Sequence, residues 1–337
     1  MKEFKIFAVV AFFTLVTYWG VEPFAHSQMH KHVEGNNFIY NGKADVEEST
    51  MAIEAAKSIK DPAKKAAVVD KATKKLAEKK AFWADVEMIS KMKGNAASGE
   101  ALFAACIGCH NGSGVNMGGV IPPNLDHAGS LYDKKYLIAL LKDPAIASNV
   151  DHKYENTMMH PMGSVKTMVT TPQQIADVVE FIKTKKVGKL EPKQAFLEAC
   201  ARCHADRYGN ITQLGEMPKF KTEKEALEYK IKVLSEQDAI KAYMGKLPPD
   251  LSIIARARSE HFMETFIENP QSQLPGTSMP RVGLTKEGFE KVYTYLEETG
   301  DPSKDKRNAI GPWVLGFFVI FTILAYLWKK SQWKDLH

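Results

Sequence analysis

The sequence predicts a mainly α-helical protein in which two copies of one helical domain follow each other, bracketed by apolar segments. Three observations carry this. The heptapeptides ACIGCHN (105–111) and ACARCHA (199–205) hold all four cysteines of the chain. The sequence after each motif runs parallel to the sequence after the other, an internal repeat of about 90–110 residues and so a domain pair, not a solenoid. Strand-patterned runs are scarce, whereas apolar residues recur at helical spacing.

The 337 residues give room for two ordinary domains with extensions. The net charge of +5, from 45 basic and 40 acidic residues, is too evenly spread to point to nucleic acid. Four cysteines are too few for a disulfide scaffold.

Residues 1–26 contain the apolar run Ile6–Trp19, preceded by Lys2 and Lys5. It has the length of a signal-peptide core. No clean cleavage site follows, since PFAHS is a poor one, and the run reads as a retained anchor. Residues 304–337 contain Ile310–Trp328, 19 residues that span about 28 Å as a helix, against a bilayer core of about 30 Å. Trp313, Tyr326 and Trp328 stand at its ends, where interfacial aromatics belong. Lys2 and Lys5 favour a cytoplasmic N-terminus, so two spanning helices would put everything between them on the far side.

Residues 27–97 are polar and lysine-rich. NNFIYNGKA reads as loop and VEESTMAIEAAKSIK as helix. Asp61-Pro62 is a cap and first-turn proline that opens a second helix, with Val68, Val69, Ala72, Leu76, Trp83 and Val86 at roughly helical spacing. Nine lysines and three acids between Lys57 and Lys80 read as a solvated face, or as a contact for anionic lipid or a partner. GNAASG (94–99) reads as a linker.

The first copy spans 98–190 and the second 191–303. Each opens on a short helix, GEALFAACIGCH or KQAFLEACARCH. Each continues with a double-proline turn (IPPNL, LPPDL), a helix ending in proline (YLIALLKDP, HFMETFIENP) and a methionine-proline loop (MMHPM, SMPRVG). Each closes with an amphipathic helix, TPQQIADVVEFIK or TKEGFEKVYTYLEE.

Cys-x-x-Cys-His has a chemical reason. Two thiols three positions apart at the end of a helical turn point to one side, where they add to the two vinyl groups along one haem edge. The next residue, a histidine, then falls beneath the iron. Cys106, Cys109, Cys200 and Cys203 are thereby the covalent anchors of two haem c groups, and His110 and His204 the proximal iron ligands. Four thiolates could instead hold one zinc, but zinc needs neither the histidines nor the repeat. A redox dithiol would not need two copies.

A methionine on the distal face would close the iron and make an electron carrier. Met279, before the closing helix, is the candidate in the second copy. In the first copy Met158, Met159, Met162 and Met168 compete, with Met159 ahead of Met162. His127, His152, His160 and His261 are rivals, of which His160, inside MMHPM, is the one to keep. The PPNL and PPDL turns should offer a backbone carbonyl to each proximal histidine, from Pro122 and Pro248 or their neighbours.

With these residues in place, each copy resembles a class I cytochrome c domain. The fold expected is therefore mainly α, two tandem cytochrome c-type domains with a C-terminal transmembrane helix and an N-terminal membrane anchor. MGKLPPDLSIIARAR (244–258) and the tail from TYLEETGDPSKDKRN onward resemble cytochrome c1 of the respiratory cytochrome bc complex. Lys306, Arg307, Gly311, Lys329, Lys330 and Trp333 carry that similarity. The resemblance covers roughly residues 192–337. The family's usual member has one haem, so this chain looks like its two-haem bacterial variant.

The resemblance implies the electron-transfer subunit of a quinol:cytochrome c oxidoreductase in the bacterial inner membrane, with its haem domains on the periplasmic side. It would take electrons from a Rieske iron-sulfur protein and pass them to a soluble cytochrome c or an oxidase, beside cytochrome b in a dimeric complex. No independent catalytic site is expected. A tethered dihaem carrier serving a terminal oxidase is the alternative, and a dihaem peroxidase a further one, against which the methionine in each copy counts.

Overall fold

The computed structural model describes residues 2–25, 35–112, 119–185 and 187–334. Helix makes up 67% of the described residues. The strands among the described residues are two-residue pieces, β1 (Ile211–Thr212) and β2 (Gly215–Glu216), paired antiparallel.

Helix α1 (Lys2–Val16) runs on through a π-helical turn, and the stretch Phe4–Ala25 is long and apolar enough to cross a membrane. This is longer than the apolar run alone, because Tyr18 to Phe24 continues the helix. PFAHS leaves the described residues after Ala25. The last helix, α11 (Lys304–Gln332), is the second candidate span and contains Pro312; the side chains of both spans face outward, as membrane-facing residues do.

Helices α2 (Lys43–Lys57) and α3 (Pro62–Ser90) form the lysine-rich region and pack on each other. The Asp61 side chain accepts from the backbone N–H groups of Ala63 and Lys64, the expected cap. Only the C-terminal half of α3 is a core helix, burying Phe82, Trp83, Val86 and Ile89; Val68 is exposed.

Helix α4 (Ala96–Ile107) absorbs most of GNAASG, which is therefore not a linker. Asn95 caps it through Ala97 and Ser98 N–H. The small residues serve packing: a Cβ on Gly99 would collide with the Asp177 carbonyl of α6 (Pro172–Thr184). Phe103 and Phe181 close that crossing at 5.1 Å between ring centroids. Helix α6 starts in a complete capping box of Thr171 and Gln174. Between them, α5 (Lys134–Lys142) buries Tyr136, Leu137, Ile138, Ala139 and Leu141.

In the second copy α7 (Pro192–Ala199) crosses α10 (Lys286–Gly300), with Phe196 against Tyr295 at 4.8 Å. Helix α9 (Glu260–Glu268) holds the same place in chain order as α5 in the first copy. A 22-residue helix, α8 (Glu223–Met244), fills the longer connection of this copy. Its charged and apolar residues are interspersed around the axis, with Leu227, Ile231 and Leu234 exposed, so it has no single apolar face to reveal it.

The two copies share one hydrophobic core. An antiparallel bridge joins Tyr132 to Leu284, with Asp133 N–H donating to the Gly283 carbonyl and Thr285 N–H to the Leu131 carbonyl, both at 2.9 Å.

The lysine-rich region straps this junction. Asn36 and Phe38 N–H donate to the Glu268 carboxylate at 2.7 and 2.9 Å, and the Tyr40 hydroxyl to the Leu284 carbonyl at 3.1 Å. Asp45 and Arg281 form an ion pair with both side chains buried. Lys79, itself buried, donates to Asn149, and Lys75 pairs with Asp151 at 2.8 Å. Lys79 thus serves the interior and Lys75 a half-exposed ion pair, while Lys64, Lys71, Lys74 and Lys80 form the solvated face.

Candidate haem-binding sites

Each motif forms the same turn. Beyond α4, the N–H groups of Cys109 and His110 both donate to the Cys106 carbonyl, at 3.2 and 2.9 Å. Beyond α7, those of Cys203 and His204 both donate to the Cys200 carbonyl, at 3.1 and 3.0 Å. A helical turn carried past the last regular residue thus sets two thiols and an imidazole in one order twice. None of the four cysteines is paired in a disulfide. Burial pushes the Cys106 and Cys203 thiols up, and Cys200 up to about 12.

Each histidine is fixed by a proline carbonyl. His110 Nδ1 lies 2.8 Å from the Pro123 oxygen and His204 Nδ1 2.8 Å from the Pro249 oxygen. A carbonyl only accepts, so Nδ1 carries the proton and Nε2 keeps a free lone pair. Burial lowers both pKa values, against the opposing pull of those carbonyls, which keeps the rings neutral. A neutral imidazole with its Nε2 lone pair free and its Nδ1 proton held is what an iron ligand requires. The donor set fits a covalently held haem: two thiols for the ring edge and one imidazole for the metal. Among the described residues no cluster of three or more His, Cys, Asp or Glu could hold a metal ion, so a four-thiolate zinc site finds no geometry.

Residues 96–186 match the family model described as Cytochrome c. The chain contains a cytochrome c domain. Such a domain carries covalently bound haem c and acts as an electron carrier. Cytochrome c1 of Allochromatium vinosum is 23% identical over 202 residues, covering 42% of this chain and 82% of that protein. The ammonia monooxygenase gamma subunit of Nitrosomonas europaea is 27% identical over 133 residues, 28% of this chain. The chain spans only 57% of that second relative. A chain of a solved hyperthermophilic respiratory Complex III aligns over 43% of this chain and 75% of its own, at 25% identity and a TM-score of 0.34.

In the cytochrome c domain, the methionine loop is built on a 3-10 turn, Thr157–Met159, capped by Asn156. Met158, Met159 and Met168 are 41%, 67% and 50% exposed, whereas Met162 packs on the core. Met279 in the second copy packs on that core in the same way. His160 accepts the Met162 N–H on Nδ1 at 3.0 Å. Burial drives its pKa down to about 4, so the ring is neutral and its proton sits on Nε2. That nitrogen has no lone pair for iron, the opposite tautomer from His110 and His204. His127 is engaged by Glu198 at 2.7 Å.

The proline acceptors are the second of each pair, Pro123 and Pro249, the neighbours of those singled out in the sequence. Asp45, Arg281 and Glu268 had no signal in the sequence. Their partners are far along the chain.

Proposed function

We propose that this chain is a membrane-anchored dihaem cytochrome c, the electron-transfer subunit of a quinol:cytochrome c oxidoreductase. The observation that carries the second haem is the duplicated geometry. Cys200, Cys203 and His204 repeat the turn and the 2.8 Å carbonyl bond of Cys106, Cys109 and His110. His110 and His204 would be the proximal ligands, Met279 the distal ligand in the second copy and Met162, ahead of Met159, in the first. Met162 is preferred because it shares the core-packed placement of Met279.

The similarity to cytochrome c1 supports the assignment to the quinol-oxidising complex. In that setting electrons arrive from a Rieske iron-sulfur protein and leave to a soluble cytochrome c or an oxidase, with cytochrome b alongside. The helices Phe4–Ala25 and Lys304–Gln332 would hold both haem domains on the periplasmic face of the inner membrane. The protein supplies axial ligands, a dry crevice and a docking face, and needs no acid-base site of its own.

The test is purification of the native protein in mild detergent, with haem counted by the pyridine haemochrome assay and companions identified. Two haems, a Rieske protein and a cytochrome b, with quinol-driven haem reduction stopped by a quinol-site inhibitor, are expected. Copurification with an oxidase and no quinol-driven reduction would make the chain a tethered carrier. Rapid cyanide or peroxide binding by the resting protein would reopen the peroxidase reading.

A further inference from the structure

Helix α8 belongs to the second copy, yet its C-terminal end is seated on the first. Lys153 of the first copy donates from Nζ to the Tyr243 carbonyl at 3.2 Å and stands 4.0 Å from the centroid of the Tyr243 ring. That carbonyl is one of the last four of the helix, which lack partners within it, so the ammonium caps α8 where its dipole is negative. Gly119 lies against the same side chain. A Cβ there would collide with the Tyr243 Cβ, and its φ of 99° disfavours any side chain. The Tyr243 and Tyr154 hydroxyls are hydrogen-bonded at 2.6 Å. Helix α8 is also fixed in its own copy, where it buries Val233, Ile240 and Met244 and Gln237 donates to Gln213 at 3.1 Å.

Both segments that Tyr243 touches lead to groups of the first haem site. Gly119 stands four residues before Pro123, whose carbonyl holds His110. Tyr154 leads into the methionine loop. Its ring meets the His160 ring edge-on with centroids 5.5 Å apart, and His160 Nδ1 accepts the Met162 N–H at 3.0 Å. Tyr243, Tyr154, His160 and Met162 form a series of direct contacts across the boundary between the copies.

We propose that the second copy completes the first haem site: the Tyr243 hydroxyl, through Tyr154 and His160, sets the position of Met162. The proposal rests on the reading of Met162 as the distal ligand of the first haem. A methionine side chain is unbranched and flexible, so the backbone that carries it decides where its sulfur is presented. Partners behind a metal ligand fix its orientation in this way. Phenylalanine at position 243 would keep the ring, its contact with Lys153 and the packing on Gly119, and remove only the hydroxyl. The half-buried Tyr154 hydroxyl would lose its partner, and its ring would no longer be held against His160. Tyr243 is a positioning residue, since it touches no reacting atom.

The test uses the full-length protein in detergent, with haem counted first. Hydrogen exchange reads the Met162 amide, the weak red absorption band of a methionine-ligated ferric haem reads the ligand bond, and spectroelectrochemical titration reads both midpoints. In Tyr243→Phe, exchange at Met162 quickens severalfold, the band weakens and one midpoint falls, the same one that falls in Met162→Ala. Tyr154→Phe breaks the same bond from the other side and stands in if Tyr243→Phe takes up too little haem. The variant with both changes is no worse than either alone, because one bond is lost in each case. Unchanged exchange at Met162 in the single variants overturns the proposal, as does a fall confined to the midpoint that Met279→Ala moves, or losses that add in the double variant. A Met162→Ala protein that keeps both midpoints overturns the ligand reading instead, and the exchange rates then still decide whether Tyr243 holds the loop.

Discussion

Replacing Asp45 by alanine should loosen the junction between the two copies. Asp45 is fully buried, accepts from Trp83 Nε1 at 2.6 Å and pairs with Arg281, whose side chain is 4% exposed. In the variant, Arg281 keeps only neutral acceptors, the Asn269 oxygen at 3.2 Å and the Ala147 carbonyl at 3.4 Å. Removing one partner of a buried pair costs about 3–5 kcal/mol, because the remaining charge is left uncompensated. For a unit of 150–250 residues each kcal/mol moves Tm by roughly 2–4 °C, so a fall of roughly 6–20 °C is expected. The assay is thermal unfolding of the detergent-solubilised full chain, followed by tryptophan fluorescence and Soret circular dichroism. Asp45→Leu with Arg281→Met should recover most of the loss, since an apolar pair of matched size removes the stranded charge. A loss below about 1 kcal/mol in Asp45→Ala, or a double variant worse than either single one, would refute the reasoning. The same pair sets a pH dependence. Burial would raise the Asp45 pKa, but the charge and hydrogen bonds of Arg281, with Lys79 and Trp83 behind them, hold it below the ordinary value. Its contribution is therefore complete above the unfolded value of about 3.9 and is lost as pH falls below that, through the depressed folded value. Asp45→Ala should lose that acid-side slope.

Other outcomes follow from the sites and the junction. Cys200→Ala with Cys203→Ala should cut the covalently bound haem by one per chain, read by intact mass. Met279→Ala should lower one midpoint potential, and Met162→Ala the other, while Met159→Ala leaves both in place, all read by redox titration. Gly283→Ala should cost about 1–3 kcal/mol, because its Cβ would enter the Tyr136 ring and its φ of 77° disfavours any side chain; a lowered Tm with unchanged haem content is the signature. Glu268→Ala should free the strap at Asn36 and Phe38, seen as faster hydrogen exchange at those two amides.

What the sequence disclosed was set by short spacings. The Cys-x-x-Cys-His turn is completed within five residues, and the proline caps of α3 and α6 within four, so a local reading reaches them. The terminal helices were legible because hydrocarbon imposes an unbroken apolar run. GNAASG misled because small residues signal flexibility in isolation, whereas here Gly99 lets two helices touch. Helix α8 escaped because its charged and apolar residues are interspersed around the axis, although Thr222 with Glu223 and Glu225 marks its start. The strap was illegible for a different reason: Asp45 and Arg281 are 236 positions apart, and no periodicity links them.

That last contact bears on how such a chain could be rearranged. Its sequence reads as two interchangeable cassettes, as if one could be deleted, swapped or expressed alone. The molecule is not modular in that sense. Arg281, two positions past Met279, is neutralised by a residue that precedes both copies, and the Gly283 and Leu284 carbonyls take their donors from Asp133 and Tyr40. A gene fragment beginning at residue 191 would encode every candidate haem ligand of the second copy and still lack the groups that hold its methionine loop in place. Recombination within such a lineage is therefore expected to move the strap and both copies together.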